Sequence, residues 1–197
     1  MTDQPAAKPS NFDWFFAHTQ ELPPADRTGY FLKHLPQGAR IIDFGCGTGR
    51  WAAAFLRDRP DLTIDLLDRR PDKMNLIPPE WPGETFGMNF TEFTPSHAYA
   101  GIWSFAALFF LPRTDLTVCF HRLAGALKPG GVILFTMVEE CATSALVKLH
   151  GMDKAGIEAM LATEGLVPLS LSRREDAEYG PQKLHIPTFH VLARKPA

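Results

Sequence analysis

Asp43-Phe44-Gly45-Cys46-Gly47-Thr48-Gly49 is the stretch that decides the fold of this chain. It follows Arg40-Ile41-Ile42 and leads directly into residues 50–59, whose composition is compatible with a helix. Glycines at alternating positions between a strand and a helix let the backbone lie flat against a ligand, because glycine has no side chain and adopts positive φ freely. The sequence therefore predicts a nucleotide-type binding loop between the first strand and the following helix.

Asp43, two residues before the first glycine, indicates which kind of ligand the loop binds. A dinucleotide-binding loop accepts a pyrophosphate at a helix N-terminus, and a fixed carboxylate would repel that group. S-adenosylmethionine instead presents a primary ammonium and a sulfonium, which a carboxylate attracts. The spacing Gly-x-Gly-x-Gly also differs from the Gly-x-Gly-x-x-Gly of dinucleotide-binding loops. Two alternatives remain open: a tight strand-to-helix turn that needs glycine only for its geometry, and a nicotinamide-dependent oxidoreductase.

The acidic residue followed by Gly-x-Gly-x-Gly resembles the first motif of the class I S-adenosylmethionine-dependent methyltransferases. The resemblance runs from about Phe12 to Lys195 and includes the Leu-Lys-Pro-Gly-Gly turn at residues 127–131. Residues 99–103 and 108–112 are similar to the small bacterial methyltransferases of the tellurite-resistance type. The chain departs from that subgroup at Ala100, where aspartate is usual, and at Phe110, where histidine is frequent. Chemistry assigned to that histidine cannot be carried over, and the departures leave open a methyltransferase-like protein that binds the cofactor without catalysis.

Strand and helix signals alternate along the chain, which predicts a mainly parallel sheet with helices on both faces. No helical pattern separates the last two strands, so they are expected to pair antiparallel at one edge. The resemblance implies an α/β, Rossmann-like, seven-stranded mainly parallel sheet with one antiparallel edge strand. After the first strand, strands are predicted at residues 63–67, 84–88, 100–105, 132–138, 166–172 and 188–194. Helices are predicted at residues 11–19, 24–34, 50–59, 71–76 and 116–127, with a last helix capped by Asp153 and running to residue 163.

The length of 197 residues and the 45% hydrophobic composition suit one domain with a sizeable core. Residues 1–10 are polar and contain proline, and they are expected to form a mobile N-terminal arm. Residues 11–197 are expected to form a single methyltransferase domain. Within it, residues 11–37 are predicted to be a helical cap segment and residues 38–197 a Rossmann-like core.

The charge balance of the chain argues against nucleic acid as a partner, because a net charge of -2 and a pI near 6.4 provide no basic excess. Cys46, Cys119 and Cys141 are widely spaced and odd in number, which fits small buried thiols better than a disulfide framework. The N-terminus lacks an apolar signal region, and no apolar run reaches the length of a transmembrane helix. A cytoplasmic protein without a membrane partner is predicted, and its oligomeric state is left open.

The predicted cofactor site lies at the carboxyl ends of the strands, where sheets of this kind bind ligands. Asp68 ends the second strand and can accept hydrogen bonds from both ribose hydroxyls, unless it is an ordinary surface aspartate. Asn89 stands where the resembled family often has an acid that reads adenine, and Phe90 either stacks on that ring or packs in the core. Ser104 and Phe105 would lie beside the transferred methyl group, with a core position as the alternative for Phe105. The predicted cofactor-binding set is Asp43, Gly45, Cys46, Gly47, Gly49, Asp68, Arg69, Asn89, Phe90, Ser104 and Phe105.

Methyl transfer from a sulfonium is an in-line displacement, so holding the acceptor close and collinear supplies much of the catalysis. A general base is needed only when the acceptor carries a proton that must leave. His18 and Tyr30, in the N-terminal segment, are the candidate bases, each with a purely structural role as the alternative. Arg173 and Arg174 form either a pair that binds a substrate carboxylate or a solvated charged edge. A small-molecule acceptor is expected, and no metal site is predicted.

Overall fold

The computed structural model describes residues 25–140, 148–175, 178–179, 184–185 and 187–197. Several predictions from the sequence fall outside these residues. They are the arm at 1–10, the helix at 11–19, the candidate base His18 and the third cysteine, Cys141.

The described residues form one seven-stranded sheet and a separate two-stranded hairpin. The sheet strands are β1 (Arg40–Phe44), β2 (Thr63–Asp68), β3 (Thr85–Gly87), β4 (Tyr99–Ser104), β5 (Leu127–Val138), β6 (Val167–Arg174) and β9 (Thr188–Arg194). The hairpin, which the sequence did not predict, pairs β7 (Glu178–Tyr179) with β8 (Leu184–His185).

The helices follow the predicted order with small differences at their ends. They are α1 (Ala25–Leu32), α2 (Arg50–Asp58), α3 (Pro71–Met74), α4 (Arg113–Ala126) and α5 (Lys154–Thr163), with a 3₁₀ helix at Leu108–Phe110. None of the helices in the described part of the chain has the length and apolar character needed to cross a membrane.

The sheet has the strand order β3-β2-β1-β4-β5-β9-β6. The first five strands in this order are mutually parallel, and β9 runs antiparallel to both of its neighbours. The predicted Rossmann-like sheet of seven mainly parallel strands is therefore confirmed, with its antiparallel pairing at one edge. Strand β6 is the outermost strand of the sheet. Because β9 runs antiparallel to β5, the start of β9 lies at the end of the sheet where the parallel strands finish.

Alternate residues of each strand face two separate hydrophobic clusters, one on each side of the sheet. Ile41 faces the cluster that includes Phe55 of α2, and the next residue, Ile42, faces the cluster that includes Leu123 of α4 and Ile157 of α5. This alternation is the period of an extended chain. Both faces of the sheet are covered by helices, as predicted, and the strand ends are left free to carry the site.

The predicted Leu-Lys-Pro-Gly-Gly turn occurs inside a strand and not before it. Helix α4 ends at Ala126 and β5 begins at once, with Leu127 paired to Tyr99 and Val132 paired to Gly101. Residues 128–131 therefore bulge out of the β4–β5 pairing. They are held by the far end of the chain, because the Gly130 amide donates to the Lys195 carbonyl oxygen at 2.9 Å. The sequence predicts where the helix ends, but it does not predict the pairing of Gly130 with Lys195.

Asp153 caps α5 as predicted, since its Oδ1 accepts a hydrogen bond from the Gly156 amide at 2.7 Å. Replacing Asp153 by alanine should lower the free energy of unfolding by about 1 kcal/mol, because one of the free amides of the first helical turn loses its acceptor. Urea unfolding followed by circular dichroism measures the change. Asp153→Asn, which keeps an acceptor oxygen at the same position, should retain most of the stability; an equal loss in both variants would contradict the capping role.

Candidate active site

The glycine loop joins the carboxyl end of β1 to the first turn of α2. Gly45, Gly47 and Gly49 have φ of +87°, +58° and +77°, in the left-handed region that glycine adopts without strain. The amides of Gly45 and Cys46 donate to the Leu67 carbonyl oxygen at 2.7 and 3.0 Å. The loop is thereby folded against the end of β2, and the carboxyl ends of two neighbouring strands meet at one place.

Asp43 is fully buried at the end of β1, opposite Trp103 in the β1–β4 register. Within the described residues, neither oxygen of the Asp43 carboxylate makes a hydrogen bond of good geometry, since the Ala52 amide acts on it only weakly, and the indole nitrogen of Trp103 is also buried without a partner. Buried polar groups are almost always paired in folded proteins. Unpaired acceptors and an unpaired donor on adjacent strands therefore mark a position suited to a polar ligand.

The pKa of Asp43 is raised from 3.8 to about 8. Burial is the main cause, the negative charge of Asp68 adds to it, and the backbone amide of Ala52 acts in the opposite direction as the smallest contribution. Burial also raises the pKa of the Cys46 thiol, with the charges of Asp43 and Asp68 acting in the same direction. Cys46 is thus a neutral, buried thiol, and Asp43 holds a proton at neutral pH until a cation joins it.

Asp68, at the end of β2, is tied to the glycine loop. Its Oδ2 accepts a hydrogen bond from the Gly47 amide at 2.8 Å, and its Oδ1 accepts one from the Arg70 amide at 2.9 Å. Each carboxylate oxygen can accept a further hydrogen bond. The side chain therefore fixes the shape of the loop and retains acceptor capacity for two hydroxyl groups.

The glycines of the loop differ in what surrounds them. A Cβ placed on Gly45 would lie 2.3 Å from the Cβ of Ala107, so this glycine lets the loop pack against the segment that follows β4. A Cβ placed on Gly47 would meet no atom within 4 Å. The backbone at Gly47 therefore borders open space, where a ligand can approach it closely.

Phe105, directly after β4, stands in a group of aromatic side chains. Its ring stacks on Trp103 with the centroids 5.9 Å apart, lies 4.7 Å from the ring of Trp51 and meets His190 edge-on at 5.7 Å. Trp51 and Trp103 are themselves 4.9 Å apart. An apolar aromatic wall therefore lies beside the glycine loop and reaches β9, and Phe105 itself is only half-buried.

Residues 16–176 of the chain match the family described as the methyltransferase domain. The chain belongs to this family. The match includes the glycine loop, both aspartates and the segment after β4. It favours the methyltransferase over the nicotinamide-dependent oxidoreductase, and the predicted enzyme class and cofactor are confirmed at the level of the family.

Proteins similar to this methyltransferase domain include two sets of sequence relatives and a solved structure. Malonyl-[acyl-carrier protein] O-methyltransferase 2 of Ilyobacter polytropus is 30% identical over 117 residues, which cover 57% of this chain and 44% of that protein. The ribosomal RNA small subunit methyltransferases C of Shewanella are 45% identical over 42 residues, which cover 21% of this chain and 12% of those proteins. The chain thus spans less than half the length of these relatives.

The 1,6-didemethyltoxoflavin-N1-methyltransferase of Burkholderia thailandensis, solved with its substrate and S-adenosylhomocysteine, shares the fold of this chain. Its TM-score is 0.68 at 17% identity, and the superposition covers 92% of this chain and 81% of that chain. The resemblance to the class I methyltransferases is confirmed, and the tellurite-resistance subgroup stays a prediction.

Other predicted cofactor residues of this methyltransferase domain make contacts within the protein. Phe90 is buried and packs on Phe44 with the ring centroids 4.6 Å apart, and the Ser104 hydroxyl donates to the Phe44 carbonyl oxygen at 2.9 Å. Asn89 is exposed, and its amide nitrogen donates to Glu92 at 3.1 Å. Arg69 is exposed beside Asp68. Phe90 and Ser104 support the loop, whereas the Asn89 side-chain oxygen faces no partner among the described residues.

The backbone is strained directly after the aromatic wall of the domain. Ala106 has φ of +56° and is a left-handed residue other than glycine. Its amide donates to the hydroxyl of the buried Thr136 on β5 at 2.8 Å, which holds the conformation. Strain of this kind is concentrated at functional sites, and here it turns the chain between Phe105 and the 3₁₀ helix.

The candidate base Tyr30 lies on α1 and is 37% exposed. Its ring meets His34 edge-on at 5.9 Å, and the Lys33 ammonium lies 4.4 Å from the ring centroid. Tyr30 lines a cavity that also includes Phe105, so it lies on the same side of the sheet as the aromatic wall. A role as a base stays a prediction for Tyr30 and for His18.

One side chain near the site of this methyltransferase domain, His190, was not among the sequence candidates, and Arg174 was a candidate whose place beside Phe105 the sequence did not predict. His190 of β9 and Arg174 of β6 line the same cavity as Phe105. A signal for both was present, because antiparallel pairing of the last two strands places the end of β6 and the start of β9 at the carboxyl ends of the parallel strands. The sixth strand was predicted to end at residue 172, whereas β6 continues to Arg174.

Proposed function

We propose that this chain transfers a methyl group from S-adenosylmethionine to a small-molecule acceptor. The observation that carries the proposal is the carboxylate of Asp43, buried immediately before the glycine loop with no hydrogen bond to either oxygen. Ionising a buried carboxyl group without a partner is unfavourable, which raises the pKa of Asp43, and a cation placed beside it removes that cost. The ammonium of the methionine portion of the cofactor is such a cation.

The residues around the loop fit the rest of the cofactor. The open space beside the Gly47 backbone leaves room for the methionine and ribose portions, and Asp68 has acceptor capacity for the ribose hydroxyls. Asn89 offers a side-chain oxygen to an exocyclic amine of adenine. Phe105 is proposed to lie next to the sulfonium, where an aromatic face attracts a positive charge by about 1 kcal/mol.

The bound cofactor supplies a methyl group activated by positive sulfur. The protein contributes the orientation of the acceptor and the exclusion of water. The aromatic wall of Trp51, Trp103 and Phe105 is suited to both, since it is apolar, closely packed and adjacent to the loop. Positioning of this kind can supply much of the rate, because the reaction is a displacement along one line.

A small molecule is a better acceptor than a nucleic acid for this chain. RNA binding depends on neutralising phosphates with lysine and arginine, and the chain has 20 such residues against 22 acidic ones. The ribosomal RNA methyltransferases resemble it over 42 residues only. The name of the malonyl-[acyl-carrier protein] relative adds a carrier-bound acyl group as a second acceptor class to be tested.

Calorimetric titrations of the full chain with S-adenosylmethionine, S-adenosylhomocysteine and NADH test the donor. We expect both methionine compounds to bind with micromolar-scale affinity and NADH not to bind. The acceptor class is tested by incubating the protein with methyl-labelled S-adenosylmethionine and three fractions of a cell extract: a low-molecular-weight filtrate, RNA and protein. Label should enter compounds of the filtrate.

Three results would contradict different parts of the proposal. Binding of NADH without binding of either methionine compound would refute the donor. Label found in RNA or in acyl-carrier protein, with none in the filtrate, would refute the small-molecule acceptor and leave the donor standing. Binding of the donor with no label in any fraction would indicate a protein that retains the cofactor without catalysis.

A further inference from the structure

A cavity of about 490 Å³ lies beside the candidate active site. Tyr30 of α1, Leu134 of β5 and Leu192 of β9 line one part of it, and the aromatic residues Trp103 and Phe105 line the part next to the glycine loop. This volume is within the range of small-molecule sites. Because Phe105 belongs to both, the cavity is continuous with the aromatic wall at which methyl transfer is proposed.

The part of the cavity lined by the edge strand β6 and the start of β9 is polar. Ser170, Ser172 and Arg174 of β6 line it together with His190 of β9. Ser172 and His190 are register partners. Alternate residues of a strand share a face, so these β6 side chains point to one side while Leu171 packs with the hydrophobic cluster on the other side.

The two adjacent arginines of β6 have different surroundings. The Arg173 guanidinium pairs with Glu139 through two hydrogen bonds of 2.9 and 2.8 Å and also contacts Glu175. Arg174 lines the cavity and has no ion pair within the described part of the chain. None of the described lining residues is Asp or Glu. Among the described residues, the exposed guanidinium of Arg174 is therefore a positive charge on the cavity lining without an acidic partner.

The chemistry of the wall indicates the ligand. A guanidinium flanked by hydroxyl groups binds a planar carboxylate through paired hydrogen bonds. A single positive charge matches a monoanion better than a doubly charged phosphate. The rings of Tyr30, Trp103 and Phe105 favour a flat apolar body at the other end.

We infer that this cavity is the acceptor site and that it takes an aromatic monocarboxylate, with the carboxylate on Arg174 and the opposite end of the molecule directed to Phe105. The inference rests on the proposed function, since it places the acceptor beside the methyl group. The inference also gives the two arginines different roles. Arg174 binds the acceptor, and Arg173 stabilises the sheet edge by pairing with Glu139.

Calorimetric titration of the S-adenosylhomocysteine complex of the full chain with 2-naphthoate and with 2-naphthamide tests the inference. The two probes have the same ring system and differ in charge. We expect 2-naphthoate to bind and the amide to bind at least about tenfold more weakly, because the charge-assisted hydrogen bonds are lost. Arg174→Gln should weaken 2-naphthoate binding by a similar factor, and Arg174→Lys should restore part of it.

Arg173→Gln is the matched control, since it removes the neighbouring charge on the opposite face of the same strand. It should leave 2-naphthoate binding unchanged, and both glutamine variants should bind S-adenosylhomocysteine as the unmodified protein does. Absence of 2-naphthoate binding in the low millimolar range, equal binding of the amide, or equal effects of the two glutamine variants would each overturn the inference. If the unmodified protein does not bind S-adenosylhomocysteine, that result would instead count against the proposed function.

Discussion

Replacing Asp43 by asparagine will stabilise the ligand-free protein, and the gain will grow as the pH rises. The pKa of Asp43 is about 8 in the folded protein and near 3.8 when exposed. Between these values the unfolded chain has released a proton that the folded protein still holds, so folding stability falls with increasing pH. From about pH 5 to about pH 8 the loss is on the order of 4 kcal/mol, at 1.36 kcal/mol for each pH unit. Asparagine has nearly the same shape and carries no ionisable proton.

Urea unfolding at a series of pH values measures this effect. The difference in unfolding free energy between Asp43→Asn and the unmodified protein should increase steadily from pH 5 to pH 8 in favour of the variant. Glu80→Gln, which neutralises an exposed carboxylate, should show no such trend. A difference that does not change with pH would mean that Asp43 is ionised in the folded protein.

The same substitution should weaken binding of S-adenosylhomocysteine by about two orders of magnitude, because a buried charge loses its partner. Binding of the ammonium requires ionised Asp43, so the affinity of the unmodified protein should rise about tenfold for each pH unit up to about pH 8. The affinity of Asp43→Asn should not follow this rise. A variant that is more stable and binds S-adenosylhomocysteine more weakly would show that Asp43 destabilises the ligand-free protein and is needed to bind the cofactor.

The second large effect is expected from two substitutions in the glycine loop that differ in their surroundings. Gly45→Ala places a methyl group 2.3 Å from the Cβ of Ala107 at a φ of +87°, so we expect a loss of about 2–5 kcal/mol from steric overlap and backbone strain together. Gly47→Ala has φ of +58° and meets no atom. Its loss should be about 1 kcal/mol, from the left-handed backbone alone.

Unfolding and S-adenosylhomocysteine titrations of both variants separate packing from ligand contact. Gly47→Ala should remain folded and lose cofactor affinity, because its methyl group enters the space proposed for the ligand. Gly38→Ala is the matched control: Gly38 is also left-handed with no atom near its Cβ, and it lies before β1 at the opposite end of the strand. If Gly47→Ala binds the cofactor as well as Gly38→Ala does, the loop is not the cofactor site.

The features that could be predicted from the sequence depend on neighbours along the chain. The strand, loop and helix at residues 40–58, the cap at Asp153 and the last strand at Thr188–Arg194 all follow from local periodicity, glycine spacing or a capping side chain. Asp43 was singled out by its position alone. The sequence does not show that the Asp43 carboxylate is buried and unpaired, and this burial supports the binding of a cation there.

What could not be predicted depends on contacts between distant segments. The contacts of Ser104 and Phe90 with Phe44, more than 40 residues away in the chain, are of this kind, and their predicted place at the cofactor stays a prediction. The bulge at residues 128–131 exists because Gly130 pairs with Lys195. The sequence predicts Arg173 and Arg174 as one charged pair, whereas the pleat of β6 turns them to opposite faces and, among the described residues, Arg173 pairs with Glu139.

The close packing of Trp51 against Trp103, beside Phe105, gives the molecule a built-in optical reporter. Two indoles at this separation exchange excitation energy, and any compound that settles against Phe105 alters the polarity around both. The emission of the unlabelled protein should therefore register occupancy of this region, so that candidate acceptors can be screened by fluorescence quenching before any turnover assay exists.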